Sequence, residues 1–228
     1  DCKSGKMMNR LVQGDVGSGK TAVAAAAIYT AVKNGHQAAM MAPTEILATQ
    51  HAETLAEFFK GTGITVVMLT GSMRAKEKRR AYDLIATGVA DVVVGTHAII
   101  QKDTQYHRLG LVITDEQHRF GVAQRAALAE KGDSPHKLVM SATPIPRTLN
   151  MSLSGIRDIS VINEPPLDRL PVTTYVAEFD KGLVYDAIRK EISRGGQCFY
   201  LHNRVDSIFR TASEIKEMTG YRVGVAHG

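Results

Sequence analysis

The sequence predicts an α/β fold built on a doubly wound parallel sheet, followed by the beginning of a second α/β domain. Its short apolar runs lack polar alternation, which is typical of parallel strands that are buried on both faces. These runs alternate with segments of helical spacing, as expected when helices cover both sides of a sheet. A glycine-rich pattern for binding phosphate follows the first of them.

The first domain is predicted to span residues 1–158 and to contain six strands. Each strand except the last is expected to lead into a connection that crosses the sheet in the right-handed sense. The predicted strands are 10–13, 37–41, 64–69, 91–94, 109–114 and 137–140, and the predicted helices are 22–32, 45–60, 74–87 and 121–130.

The composition changes near Asp158. Pro165, Pro166 and Pro171 stiffen a stretch that is rich in charge, so residues 159–172 are predicted to be an extended linker. A second series of strands and helices follows, which predicts that residues 173–228 are the N-terminal part of a truncated second domain. Its predicted strands are 173–176, 197–201 and 223–226, and its predicted helices are 183–193 and 206–218.

The overall composition restricts the protein class only moderately. The chain has 28 Lys and Arg against 23 Asp and Glu, so its formal charge of +5 favours polyanionic partners without requiring them. No apolar run approaches the ~20 residues that a membrane span needs. The polar first residues and the pair of distant cysteines predict a cytoplasmic protein with neither membrane association nor a disulfide framework. Nothing in the sequence predicts an oligomer, so a monomer is expected.

The strongest chemical signal is the stretch GDVGSGKT, residues 14–21. It matches the phosphate-binding pattern at every fixed position and has the strand and helix that the pattern requires. Lys20 is expected to reach the β- and γ-phosphates of a nucleotide, and the Thr21 hydroxyl is expected to bind Mg²⁺. The alternative is a chance glycine loop before an ordinary helix. The predicted nucleotide-binding residues are Gly14, Gly17, Ser18, Gly19, Lys20 and Thr21.

Two later strand ends carry residues that suit the chemistry of a nucleotide. Asp115 follows the fifth strand and is expected to hold Mg²⁺, while Glu116 is expected to act as the base that activates water. His118 is a third catalytic candidate. Ser141 and Thr143 follow the sixth strand and are predicted to couple the γ-phosphate to the rest of the protein. The alternatives are a helix cap, a surface histidine and an ordinary turn.

Three other strand ends carry small hydroxyl residues and exposed amides, which can bind phosphate oxygens without reading bases. Taken singly, each is more typical of a turn or a helix cap. A run of Lys and Arg over residues 74–80 could follow a nucleic-acid backbone, although such runs are more often solvated helix faces. The candidate nucleic-acid contacts at these ends are Thr44, Thr70, Gly71, Thr96 and His97.

The ordered strings GDVGSGKT, APTEILATQH, VGTH, DEQH and SAT resemble the motifs of superfamily 2 helicases and translocases. The longer strings DEQHRFGVAQR and SATPIPRTLNM are similar to the bacterial DNA translocases of the RecG and transcription-repair coupling factor (Mfd) group. The first ~150 residues, including GDVGSGKT, look more like RecG. The remainder, including RGGQCFYLHNRV, looks more like the coupling factor.

The resemblance implies two RecA-like domains with ATP and Mg²⁺ between them, acting on duplex or branched DNA in repair and recombination. It also implies that Asn203 and Arg204 contact DNA, and that RNA polymerase is a partner if the chain is Mfd-like. The arginine finger of such proteins would lie beyond Gly228, so this chain is expected to bind nucleotide but to hydrolyse it poorly. A non-catalytic ATP-binding module and an RNA helicase are the alternative functions.

Overall fold

The computed structural model describes residues 7–116, 120–142, 158–164 and 172–227. The chain forms two compact units, Asp1–Arg169 and Leu170–Gly228. The predictions for His118 and Thr143, and for residues 165–171 of the linker, lie outside the described residues. None of the described helices is long and apolar enough to cross a membrane.

The first unit is built on a seven-stranded sheet in which every strand pairing is parallel. The strands lie in the order β3-β4-β2-β5-β6-β1-β7. This architecture confirms the predicted α/β fold. The strands are β1 Asn9–Gly14, β2 Gln37–Met41, β3 Val66–Leu69, β4 Val92–Gly95, β5 Leu109–Asp115, β6 His136–Ser141 and β7 Asp158–Ile162.

Helices cover both faces of this sheet. The first, α1, packs on β1, β2 and β5, and α2 packs on β3 and β4, while α3 contacts β3 and α4 contacts β5. A short 3-10 helix that the sequence did not predict, His97–Ile100, follows β4. The helices are α1 Lys20–Lys33, α2 Glu45–Phe58, α3 Ala75–Ala86 and α4 Val122–Ala129.

Alternate residues of each central strand enter different cores. In β2, Ala38 and Met40 pack with α1 and α2, whereas Ala39 and Met41 pack with α3 and the 3-10 helix. All of these side chains are fully buried. Because neither face of these strands meets water, an unbroken apolar run is what such a strand requires. This explains why the central strands were predicted within about two residues.

The strand β7 differs from the prediction, which placed Asp158 at the end of the domain and residues 159–162 in a linker. These residues pair with β1 in parallel, from Arg10↔Asp158 to Gly14↔Ile162. Arg10 supports the pairing, because its Nη1 donates to Ser160 Oγ at 2.7 Å and its Nη2 lies 3.6 Å from Asp158 Oδ2. An edge strand has one neighbour and stays partly exposed, so it lacks the apolar run that reveals a central strand.

The second unit contains two helices in its described residues, α5 Lys181–Ser193 and α6 Val205–Thr219. Asp180 caps α5 by accepting from the amides of Gly182 and Leu183. The two helices pack on each other and, with residues 197–202 and 221–226, line a cleft of about 370 Å³.

The three segments predicted as strands in this unit, 173–176, 197–201 and 223–226, do not form a hydrogen-bonded ladder in the described residues. Val176, Phe199 and Leu201 are at least nine-tenths exposed. The apolar pattern is that of buried strands, but a strand also requires a paired neighbour and a covered face. The strand predictions for this unit are therefore wrong for the structure of this chain.

Candidate functional site

The carboxyl ends of the parallel strands lie along one edge of the first unit, and the strand order divides this edge into two halves. The phosphate-binding loop, Ser141 and Asp115 stand on β1, β6 and β5, which are neighbours. The candidate nucleic-acid contacts follow β2, β4 and β3, which are also neighbours. Since adjacent strands are ~4.8 Å apart, β1 and β5 lie about 10 Å apart across β6. That gap suits a phosphate chain between Lys20 and Asp115.

The phosphate-binding loop connects the end of β1 to the first residue of α1. Gly17 and Gly19 have φ values of 81° and 87°, which are left-handed conformations that favour glycine. The Lys20 ammonium donates to the carbonyl oxygens of Gly14 and Asp15, both at 2.7 Å. Its charge is therefore held over the loop, at the start of a helix whose free amides and dipole favour an anion.

The residues of the loop fit a phosphate group. A Cβ at Gly14 would lie 2.5 Å from Ser18 Oγ and 3.0 Å from Ile162 Cβ, so only glycine permits this close approach. Among the described residues, the buried Ser18 hydroxyl lacks a hydrogen-bond partner. A buried polar atom of this kind is costly unless a ligand or water satisfies it. Thr21 is the second residue of α1, so its side chain stands beside Lys20 at the same helix end.

Asp115 is the last residue of β5 and is 8% exposed. Its Oδ1 accepts from the amide of Glu116 at 3.0 Å, and its Oδ2 lies 2.7 Å from Nε2 of His51 in α2. No group of three His, Cys, Asp or Glu side chains that could hold a metal occurs in the described ranges. A Mg²⁺ ion held by Thr21 and Asp115 would therefore take its other ligands from phosphate oxygens and water, as this ion commonly does.

Glu116 has a left-handed backbone with φ of 49°, which is costly for a residue other than glycine. Its Oε1 accepts from the amide of Ala142 at 3.3 Å, which joins the tip of β5 to the tip of β6. Ser141 is 6% exposed and lies directly before this contact. The structure thus brings the predicted base close to the predicted coupling segment.

The candidate nucleic-acid contacts lie on one edge but differ in exposure. Thr44 is exposed and caps α2, since its Oγ1 accepts from the amide of Leu47 at 3.3 Å. Gly71 is exposed and its carbonyl accepts from Lys78 Nζ. Thr70 and Thr96 are 2% and 8% exposed, so these side chains are less accessible than the sequence analysis expected. His97 is exposed and its Nε2 lies 2.6 Å from Gln124 Nε2.

Glu45 connects two of these loops. Its Oε1 accepts from the amide of Ser72 at 2.9 Å, and its Oε2 accepts from the Ser72 hydroxyl at 2.5 Å. These two hydrogen bonds lower the pKa of the Glu45 carboxyl. The loop after β2 is therefore tied to the loop after β3 by a carboxylate that is charged at neutral pH.

Asn203 and Arg204 lie in the second unit, directly before α6. Both are exposed, and Arg204 stands at the N-cap position without capping the helix. Their expected role in binding DNA stays a prediction.

Sequence reasoning missed His51 and the link through Glu45. Both residues are within the string APTEILATQH, yet a histidine on a helix and a glutamate in a first turn are ordinary features of helices. The spacing of seven residues places His51 on the same face of α2 as Thr44, which was the available signal.

Known proteins match this chain both in sequence and in structure. Residues 2–152 match the family model for DEAD/DEAH box helicases. The chain belongs to the DEAD/DEAH box helicase family. It is 50% identical over 202 residues to the ATP-dependent DNA helicase RecG of Streptococcus pneumoniae, covering 88% of this chain and 30% of that protein.

Two further matches of this member of the DEAD/DEAH box helicase family confirm the resemblance to RecG and Mfd. The transcription-repair-coupling factor of Bacillus subtilis is 44% identical over 229 residues, covering the whole chain and 20% of that protein. A structure of RecG bound to a three-way DNA junction matches with a TM-score of 0.76 at 42% identity, covering 94% of this chain and 29% of that chain. The chain therefore spans between a fifth and a third of the length of these relatives.

Proposed function

We propose that this chain is the ATP-binding core of a DNA helicase or translocase that couples ATP hydrolysis to movement on duplex or branched DNA. The observation that carries the proposal is the meeting of the phosphate-binding loop, Asp115 and Glu116 on the adjacent strands β1, β6 and β5. Intact Lys20, Asp115 and Glu116 argue against a non-catalytic nucleotide-binding module, which would not need a base beside its metal ligand.

Each residue of the proposed ATP site has a distinct role. The loop amides and the start of α1 bind the phosphates, and Lys20 exchanges its bonds to the Gly14 and Asp15 carbonyls for phosphate oxygens. Thr21 and Asp115 would hold Mg²⁺, which supplies a positive charge that neutralises the phosphates. Glu116, held towards the tip of β6 by the amide of Ala142, is positioned to accept a proton from water. His118 and Thr143 remain candidates for catalysis and coupling.

The proposed DNA track follows β2, β3 and β4, with Thr44, Gly71 and His97 offering exposed groups to phosphate oxygens. Thr70 and Thr96 would contribute through their backbone, because their side chains are buried. Duplex or branched DNA is proposed over RNA because RecG and the coupling factor are both relatives of 44% identity or more.

The second candidate is the translocase part of a transcription-repair coupling factor, with RNA polymerase as a partner. Similarity to that factor extends over the whole chain at 44% identity, and the RecG structure matches 94% of the chain at 42% identity, so both are candidates. Pull-down of RNA polymerase by a longer chain would favour the coupling factor. Preferential binding of a three-way junction over linear duplex would favour RecG.

Nucleotide binding and ATP turnover by this chain, each measured with and without a branched DNA, test the proposal. We expect binding of a fluorescent ATP analogue with Mg²⁺ and slow turnover. Lys20→Ala should abolish binding. Glu116→Gln should retain binding and lose turnover, because an amide cannot accept the proton.

Three results would overturn parts of the proposal. A wild-type chain that fails to bind the analogue would remove the ATP site. Unchanged turnover in Glu116→Gln would remove Glu116 as the base. Stimulation by RNA but not by DNA would replace the DNA translocase with an RNA helicase. Sedimentation of the same samples tests the proposed monomer.

A further inference from the structure

The side chain of His51 makes a direct contact with the proposed metal carboxylate. His51 Nε2 lies 2.7 Å from Asp115 Oδ2, although 64 residues separate the two in the chain. Each side chain is 11% exposed. The other oxygen, Oδ1, accepts from the amide of Glu116 at 3.0 Å. Each carboxylate oxygen therefore has its own donor, which restrains the rotation of the carboxylate about its Cβ–Cγ bond.

The helix that carries His51 is itself held firmly. Thr44 caps the first turn of α2, and the side chains of Ala48 and Leu55 are fully buried on either side of His51 in the sequence. The helix packs mainly on β3 and β4, whereas Asp115 ends β5, so His51 reaches the carboxylate from a helix that lies mainly over other strands. A donor on a rigid, packed element fixes its acceptor more precisely than a donor on a loop does.

We propose that His51 is a positioning residue that orients the Asp115 carboxylate for Mg²⁺ through a hydrogen bond from Nε2–H to Oδ2. The proposal rests on the ATP site described above, and it adds a residue that acts on the metal only through Asp115. It requires the tautomer with the proton on Nε2. Removing a donor that orients a ligating carboxylate commonly lowers the affinity for the metal by about 10–100-fold.

The test is the Mg²⁺ dependence of the binding of a fluorescent ATP analogue to this chain. His51→Leu removes the donor. His51→Gln places an amide N–H at about the position of Nε2, and His51→Asn places it nearer the backbone, at about the position of Nδ1. Gln50→Leu is the control, because this neighbouring residue of α2 is exposed and its change also removes a polar side chain.

We expect the Mg²⁺ concentration for half-maximal enhancement of binding to rise about 10-fold or more in His51→Leu. Affinity for the analogue without Mg²⁺ should stay within about twofold of the wild-type value, since Lys20 and the loop are unchanged. His51→Gln should restore most of the Mg²⁺ response, while His51→Asn should resemble His51→Leu, and Gln50→Leu should resemble wild type. A merely structural role would weaken binding with and without Mg²⁺ alike.

The outcomes separate this inference from the proposed function. If binding by wild type and by His51→Leu responds to Mg²⁺ in the same way, the role of His51 is overturned and the proposed metal site is not. A second pair of results would also overturn the role of His51. In that case His51→Leu loses binding at all Mg²⁺ concentrations, and a stably folded His51→Gln responds to Mg²⁺ no better than His51→Asn. A wild-type chain whose binding does not respond to Mg²⁺ would instead refute the proposed metal site.

Discussion

Gly95 provides the sharpest test of how the half of the site edge that contains β3 and β4 is built. It is the last residue of β4 and lies beside the last residue of β3, Leu69. A Cβ at Gly95 would stand 2.0 Å from the Leu69 carbonyl oxygen and 2.6 Å from Ile99 Cγ2. The carbonyl belongs to the backbone and cannot rotate away, so Gly95→Ala must push β3 and β4 apart at their carboxyl ends.

The magnitude follows from this geometry. Overpacking a core usually costs about 1–3 kcal/mol, and a backbone clash of this depth should reach or exceed the upper value. For a domain of this size, a loss of about 3 kcal/mol lowers the melting temperature by roughly 6–12 °C. The control is Gly121→Ala, because a Cβ there meets nothing within 4 Å.

The assay is thermal unfolding followed by circular dichroism, together with DNA binding at a temperature where both variants are folded. We expect Gly95→Ala to melt well below Gly121→Ala and to bind DNA more weakly, since the loops after β3 and β4 both shift. A Gly95→Ala protein that melts within about 2 °C of wild type would refute the reasoning, because the strands would then have absorbed the methyl group without cost.

Three further predictions concern single side chains. Glu45→Ala should weaken DNA binding in an anisotropy titration, because it removes the hydrogen bonds to Ser72 that tie two loops together. The control is Glu53→Ala, which removes the same charge from an exposed position on α2. If only the lost charge mattered, both variants would instead bind DNA more tightly, and to the same degree. Gln37→Leu should cost at least about 2 kcal/mol in urea unfolding, because this buried amide bonds the carbonyls of Ile85 and Ala90 and the amides of His107 and Arg108. The pKa of His36 is lowered by burial and then by the charges of Arg108 and His136, so the pKa in the folded protein lies below that in the unfolded chain. The contribution of His36 to stability is therefore present above about pH 6.5 and is lost as the pH falls through the folded pKa. His36→Gln should therefore flatten the loss of melting temperature between pH 7 and pH 5, and an unchanged slope would contradict this assignment.

Most of the first unit could be predicted because its strands are buried on both faces. The runs around Met40, Val93 and Ile113 record that burial directly, and the helix bounds followed from spacing and caps. The strand β7 was missed because an edge strand carries a weaker apolar signal. The strands of the second unit were predicted from the same signal, but their segments have no paired neighbours in the part of the chain that the structure describes.

The candidate site divides in the same way. The phosphate-binding loop was predictable because its turn, its glycines and its lysine are contiguous, so the motif contains its own geometry. The position of Asp115 and Glu116 at this edge of the sheet was predictable because they lie at the end of a strand. The contacts of His51 with Asp115 and of Glu45 with Ser72 could not be predicted, because nothing in the local sequence distinguishes these residues from ordinary helix residues.

The sequence by itself determined most elements of the first unit, their parallel arrangement, the phosphate-binding loop and the resemblance to a family, since each of these is recorded in short windows of residues. The tertiary structure decided which strand ends are neighbours, and hence that β1, β6 and β5 form one half of the edge and β2, β4 and β3 the other. It also decided which helix reaches the Asp115 carboxylate. Strand order depends on the path of every crossover between distant segments, so no local pattern of side chains encodes it.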